Sequence, residues 1–292
     1  MKDRITKRNL FAIEKEATLI KNSKLISKWQ DNFDTHSNLK CDLQKDKILV
    51  CACETKEEKQ KWTAFVHLTT SLPYKGAIGR QVKFFIYCGS VIIGMFHLVS
   101  PMAHMKLRDA YVGLNKNKNK WNILKGIYNI ETCVPMKNYS HFLTGKLLVY
   151  TIFSKSVTNY MELKYHTKVI GFETTSLYGK AIMYDRIPFL KYLGLSDGYS
   201  AMYISDEEWK KIKNEYYTVY PNTKTNRLAP VKYQIVDKLQ KYYKKINKEF
   251  PYEYINEDFK RGIYFGYTQN MLTTDEQINN WRNRWLIKRW VK

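Results

Sequence analysis

The stretch from Val82 to Val99 constrains this chain more than any other, because it is the longest apolar run in the sequence. A membrane-spanning helix needs about 20 uninterrupted apolar residues. Here Lys83 breaks the run near its start, and Cys88-Gly89-Ser90 is a turn signal, so the run reads as two strands of a β-hairpin. The opening MKDRITKRNL is charged, and no apolar stretch with a small-residue cleavage site follows it. The reading is therefore a cytoplasmic protein with no membrane partner.

Around the hairpin the sequence reads as a mixture of helices and strands. Residues 8–30 carry apolar side chains at helical spacing, with a slip in phase before Leu25. Ile48 to Cys53 reads as a short strand and Lys56 to Leu72 as a second helix. Tyr128 to Val134 reads as a strand ending at Pro135, and Phe142 to Lys164 as a helix. Val169 to Thr174 is expected as a strand, Ala181 to Leu193 as a helix, and Ala201 to Ile204 as a strand. Ser205 to Glu208 and Thr274 to Gln277 have the form of capping boxes. They open helices that run to Tyr217 and Val291, with Pro230 to Phe250 a further helix between them. One mixed α/β (α+β) sheet flanked by helices is the fold class this implies.

Charge points to the partner. The chain of 292 residues carries 49 Lys and Arg against 27 Asp and Glu, a formal charge of +22. Self-repulsion of that size weakens a compact state unless a polyanion neutralises it, and a polyanion gains by releasing its counterions. The abundant aromatic residues add flat faces on which bases stack. DNA is the partner this suggests, with RNA or ribosome association as an alternative.

Two segments carry the signal most clearly. Lys116, Lys118 and Lys120 alternate with asparagines before Trp121, as a phosphate-reaching loop or as an ordinary solvated one. In the last helix Arg282, Arg284, Lys288 and Arg289 surround Trp281 and Trp285. The rings are expected inside and the arginines outside, against phosphates. Five cysteines at irregular positions suit reduced thiols. His36, Cys41, Cys51 and Cys53 fit no zinc knuckle, and Cys51 and Cys53 at alternate strand positions read as buried. No metal site is expected.

The strand, loop and helix from Tyr128 to Leu148 form an anion site in principle. A helix opening at Thr144-Gly145-Lys146 would offer free N–H groups, room at Gly145 for a pyrophosphate, and a lysine. An ordinary strand-to-helix connection has the same appearance.

A set of short motifs then follows one another in order. Ser90 to Leu98 contains Gly94 within an apolar strand. Arg108-Asp109 precedes Tyr111 and Gly113, and Asn122 precedes Leu124. Asn129 opens a strand that ends at Pro135. Gly171-Phe172-Glu173-Thr174 is followed by Tyr184 and Gly194. From Val82 to about Ser205 the chain resembles the domain that characterises the first protein of the Druantia anti-phage system. That domain is similar in turn to the phage Mom DNA-modification proteins. The sequence departs from the pattern in lacking two tryptophans, with Ile187 and Pro188 standing where an Asn-Trp follows the tyrosine.

The resemblance implies a GNAT-like mixed sheet, the acyl-coenzyme A transferase fold, in which Tyr128 to Val134 splays from its neighbour. It implies three regions: an N-terminal helical region, 1–45; a GNAT-like core, 46–204; and a helical basic C-terminal extension, 205–292. Acetyl-coenzyme A or another acyl donor would sit at Thr144, Gly145 and Lys146, although His141 to Lys146 keeps only part of the coenzyme motif. The donor is left open.

Within this scheme Glu173 is the candidate general base and Tyr184 the candidate acid, with Arg108 and Asp109 beside them. Each has a structural alternative: Glu173 as the partner of Arg108 or Lys180, Tyr184 as core, and Arg108-Asp109 as a fold-holding pair. The function implied is a DNA-associated transferase of a phage or mobile element that modifies bases or acts in phage–host conflict. The alternative is a DNA-binding protein with the same fold and no catalysis.

Overall fold

A computed structural model describes residues 2–177, 179–197, 201–223, 231–257 and 260–290. In chain order the helices and strands begin with α1 (Lys2–Lys21), α2 (Ser23–Asn38), β1 (Ile48–Ala52), α3 (Lys56–Thr69), β2 (Gln81–Cys88) and β3 (Val91–Val99). They continue with α4 (Lys106–Val112), α5 (Lys120–Leu124), β4 (Ile127–Pro135), α6 (Thr144–Ile152), α7 (Lys155–Tyr165), β5 (Gly171–Ser176) and β6 (Lys191–Leu195). Then come β7 (Ala201–Tyr203), α8 (Asp206–Val219), α9 (Val231–Lys245), β8 (Ile255–Glu257), β9 (Gly262–Tyr267), α10 (Thr274–Trp281) and α11 (Ile287–Trp290).

The apolar run is the hairpin β2–β3, turned at Gly89, whose φ of +58° suits glycine. Every residue of β3 is buried, because the hairpin lies inside a seven-stranded sheet of order β1-β2-β3-β4-β5-β9-β6. Helix α6 packs on it so closely that a Cβ at Gly94 would stand 2.8 Å from a methyl carbon of Leu148. Strands β4 and β5 run parallel and pair through Ile127/Gly171, Tyr128/Phe172 and Asn129/Glu173. Beyond Asn129 they pair with different partners: β4 follows β3 to Pro135, and β5 follows β9 to Ser176. Thr174 Oγ1 donates to the Ile130 carbonyl across the start of the gap (2.9 Å).

Several expectations shift. The phase slip before Leu25 is a break between two helices, α1 and α2. The expected helix Phe142 to Lys164 is likewise two, interrupted at Phe153, where ψ is +44°. Ala181 to Leu193 is not a helix: residues 182–186 form turns and β6 follows. Pro188 disfavours helical backbone at Ile187, and Arg186 already has φ of +60°. Strands β8 and β9 were not anticipated. The box that opens α10 uses Thr273 and Glu276, one residue earlier than expected. The Thr274 hydroxyl is engaged instead with those of Ser154 and Ser156. Cys53 is buried, but Cys51 is exposed.

The chain divides into two compact units, residues 1–194 with 262–292, and residues 195–261. This differs from the expected boundaries at 204 and 205, because after α9 the chain returns to the sheet as β9. The second unit holds β7 and β8 as an antiparallel pair. Its apolar core is Ile204, Ile212 and Tyr216 with Ile235, Val236 and Leu239. Among the described residues no helix is long and apolar enough to cross a membrane.

Candidate functional site

Three of the four expected catalytic residues, Arg108, Asp109 and Glu173, form a buried ionic cluster. The Arg108 side chain has no exposure, and neither has that of Glu173. Arg108 bonds the Glu173 carboxylate through Nη1, Asp109 Oδ1 through Nε (2.7 Å) and the Met102 carbonyl through Nη2 (2.8 Å). The second oxygen of Glu173 accepts from Met102 N–H (2.9 Å), and Asp109 Oδ2 accepts from Lys120 Nζ (2.6 Å). Burial pushes the Glu173 carboxyl up from its ordinary value, and the neighbouring guanidinium opposes that rise. Asp109 is held below the usual carboxylate range, because Lys120 and Arg108 outweigh the cost of its burial. Each member of the cluster is paired, which ties α4 and the loop before it to β5.

Tyr184 lies in the turns after β5, with its ring 5.2 Å from that of Tyr264. Its hydroxyl is 3.5 Å from Thr174 Oγ1, and burial raises its pKa. It is some distance in bonding terms from Glu173: no hydrogen bond joins the two side chains among those described.

The three expected cofactor residues open α6, and all are buried. Thr144 Oγ1 donates to the Tyr139 carbonyl (2.7 Å). A Cβ on Gly145 would meet Met183 Sδ at 2.8 Å, so the space that glycine provides is taken by the 181–187 turn. Lys146 Nζ donates to the carbonyls of Ile182 and Asp185, both at 2.5 Å. These residues do not fit a coenzyme pyrophosphate, since protein atoms already stand where it would approach.

Beside them is a groove of about 800 Å³ lined by His141, Phe142, Leu143, Lys146, Ile182, Arg186, Arg284, Trp285 and Lys288. Four basic side chains, Lys146, Arg186, Arg284 and Lys288, line it, and no carboxylate does among the described residues. The Lys146 ammonium is pushed down to about 8, first by burial and then by the positive Arg186, with Asp185 opposing and Arg284 reinforcing. The Trp285 ring has Lys146 at 4.4 Å, Arg284 at 5.2 Å and Arg186 at 5.7 Å from its centre.

Trp281 is fully buried, and its indole N–H donates to the Leu143 carbonyl (3.2 Å). It anchors the end of the chain beside the start of α6. The backbone then makes one π-helical turn, Arg282–Leu286, an irregularity common at functional sites. The groove thus unites residues expected to serve separate purposes: Lys146 as a coenzyme ligand, Arg284 and Lys288 as phosphate ligands. Arg186 was missed, since it lay in a segment read as helix and no motif marks it.

The remaining basic residues divide. Arg282 donates to the carbonyls of Leu43 (2.9 Å) and Asp46 (2.8 Å), a structural use of its guanidinium. Lys116 and Lys118 are exposed in the loop before α5, whereas Lys120 belongs to the Asp109 ion pair. The side chain of Arg289 lies outside the described residues.

Comparison with known proteins gives one family. The sequence model of the family described as Druantia protein DruA matches residues 2–264. No curated protein and no solved structure matches the chain.

Proposed function

The chain belongs to the Druantia protein DruA family, and from that premise we propose that it serves anti-phage defence by holding DNA along the Lys146–Arg186–Arg284–Lys288 groove. Membership carries the role in defence. The observation that supports the mode of action is the convergence of four cations in one groove, three of them around the Trp285 ring, with no carboxylate among the described residues that line it. Such a surface attracts phosphates and releases their counterions, and the half-buried indole gives a base or a sugar an apolar face. Lys116 and Lys118, exposed in the loop before α5, are further candidates for phosphate contact.

A second reading is the DNA-modifying, GNAT-like transferase. The parallel strands β4 and β5 that pair briefly and then take different neighbours favour it. Against it stand the filled approach at Gly145 and the complete pairing of Glu173. DNA binding comes first because its residues face a groove.

Fluorescence anisotropy with a short labelled DNA over a salt series tests the proposal. If the four groove cations neutralise four phosphates, the log-log slope of affinity against salt is about −3.6. Arg284→Ala with Lys288→Ala, both exposed, then flattens the slope by about 2. A slope near zero in the parent, or one unmoved in the double variant, rejects the groove as the DNA site.

A further inference from the structure

We propose that Cys41, Asp46 and Cys88 form a site for a thiophilic divalent metal ion, zinc by the chemistry of the donors. The two sulfurs and a carboxylate oxygen of Asp46 lie within 4.8 Å of one another. Around tetrahedral zinc, with Zn–S of about 2.3 Å, neighbouring donor atoms stand roughly 3.5 to 3.8 Å apart. The three donors need to close by no more than about 1.3 Å. Two thiolates select zinc over magnesium or calcium, which prefer oxygen.

The backbone brings these donors together from distant parts of the chain. Cys88 is the last residue of β2 and pairs with Ile48 at the start of β1. Cys41 and Asp46 lie in the connection from α2 to β1. That connection is ordered by its own bonds: Asp42 N–H donates to Asp46 Oδ2 (2.8 Å), Asp46 N–H to the Asp42 carbonyl (2.8 Å), and Cys41 N–H to Tyr139 OH (3.2 Å). The Cys88 sulfur is 3.7 Å from the Asp42 carbonyl oxygen, which stands close enough to serve, with water as the other choice, at the fourth position.

Charge balances as well. On binding, each thiol gives its proton to solvent, so two thiolates, one carboxylate and Zn²⁺ sum to one negative charge. The Arg282 guanidinium, fixed on the Leu43 and Asp46 carbonyls, supplies the compensating positive charge. Since the Cys88 side chain has no exposure, the ion would serve as a structural clip between the α2–β1 connection and the end of β2. The sequence alone suggested no such site, because Cys88 reads as part of a turn signal and its partners lie more than forty positions earlier.

Cobalt titration of the full chain under a phosphine reductant tests the site. The expected result is one equivalent of Co²⁺ with a thiolate charge-transfer band and tetrahedral d–d bands, displaced by one equivalent of Zn²⁺. Cys41→Ser and Cys88→Ser abolish the band, whereas Cys51→Ser leaves it unchanged. Cys88 is buried, so Asp46→Asn provides a variant that keeps the Asp42 hydrogen bond and the fold. By circular dichroism it stays native while its Co²⁺ affinity falls by more than about tenfold. The site is overturned by the absence of a charge-transfer band, by its persistence in the Cys41→Ser/Cys88→Ser double variant, or by unchanged affinity in folded Asp46→Asn. A Cys41–Cys88 disulfide found by mass spectrometry in protein purified without reductant also overturns it.

Discussion

Arg108 determines how Glu173 is to be understood. A carboxylate buried without a partner would be neutralised, and one poised as a base would face a reacting atom. Glu173 instead has a guanidinium on one oxygen and a backbone N–H on the other. Glu173→Gln keeps the shape and removes the charge. It places an amide N–H against Arg108 or turns it toward the Met102 N–H, so one donor loses its acceptor. Breaking a buried ion pair costs about 3 to 5 kcal/mol, and the cost here falls toward the lower end because Asp109 still compensates Arg108. The expected outcome is a clear fall in melting temperature with an unchanged salt slope for DNA. The transferase reading makes a separate demand: folded mutant should lose base modification by about 10² to 10⁴-fold. Nucleoside mass spectrometry of DNA from cells expressing parent or mutant measures it, and an unmodified profile in both removes Glu173 from catalysis.

At the scale of elements, glycines decide what the sequence revealed. The hairpin was legible because its turn glycine interrupts an otherwise apolar run, and α3 because its period is helical, with Thr55 and Glu58 closing a capping box in the structure. Strand β9 was not legible: Gly262 and Gly266 weaken the strand pattern, and the reason for them is non-local. A Cβ on Gly266 would stand 2.4 Å from the Phe189 carbonyl oxygen and 2.6 Å from the Phe153 ring, neither the end of a flexible side chain. Gly266→Ala is therefore expected to lower stability by about 1 to 3 kcal/mol, the usual cost of overpacking, although alanine favours ordered backbone. Urea denaturation checks it; a parental midpoint would mean that Phe189 and Phe153 yield without cost. The groove was partly legible in the same sense. Lys146, Arg284 and Lys288 were each marked by local signals, but their meeting depends on Trp281 seating against the start of α6, a contact between residues 138 positions apart.

For the whole molecule, residues 195–261 read as an insertion into one sheet. The chain leaves β6 at Leu195 and re-enters as β9 at Gly262. Ser196 N–H donates to the Arg261 carbonyl (2.8 Å), and Arg261 N–H donates to Ser196 Oγ (2.9 Å), so exit and return are adjacent. The inserted segment has its own apolar core. Insertions at such points are tolerated because few contacts of the host depend on them. Replacing 197–260 by a two-residue Asn-Gly turn, a sequence that suits a tight strand connection, is therefore expected to leave the seven-stranded unit folded. Thermal unfolding of the shortened protein should remain cooperative. The same variant asks which part of the molecule holds DNA. All residues that line the groove lie outside 195–261. If the groove sets the affinity, the salt slope stays within about one unit of the parental value, one unit being close to a single phosphate contact. A shortened protein that unfolds cooperatively but has lost its salt dependence would assign DNA binding to the inserted unit and leave the groove without a role in it.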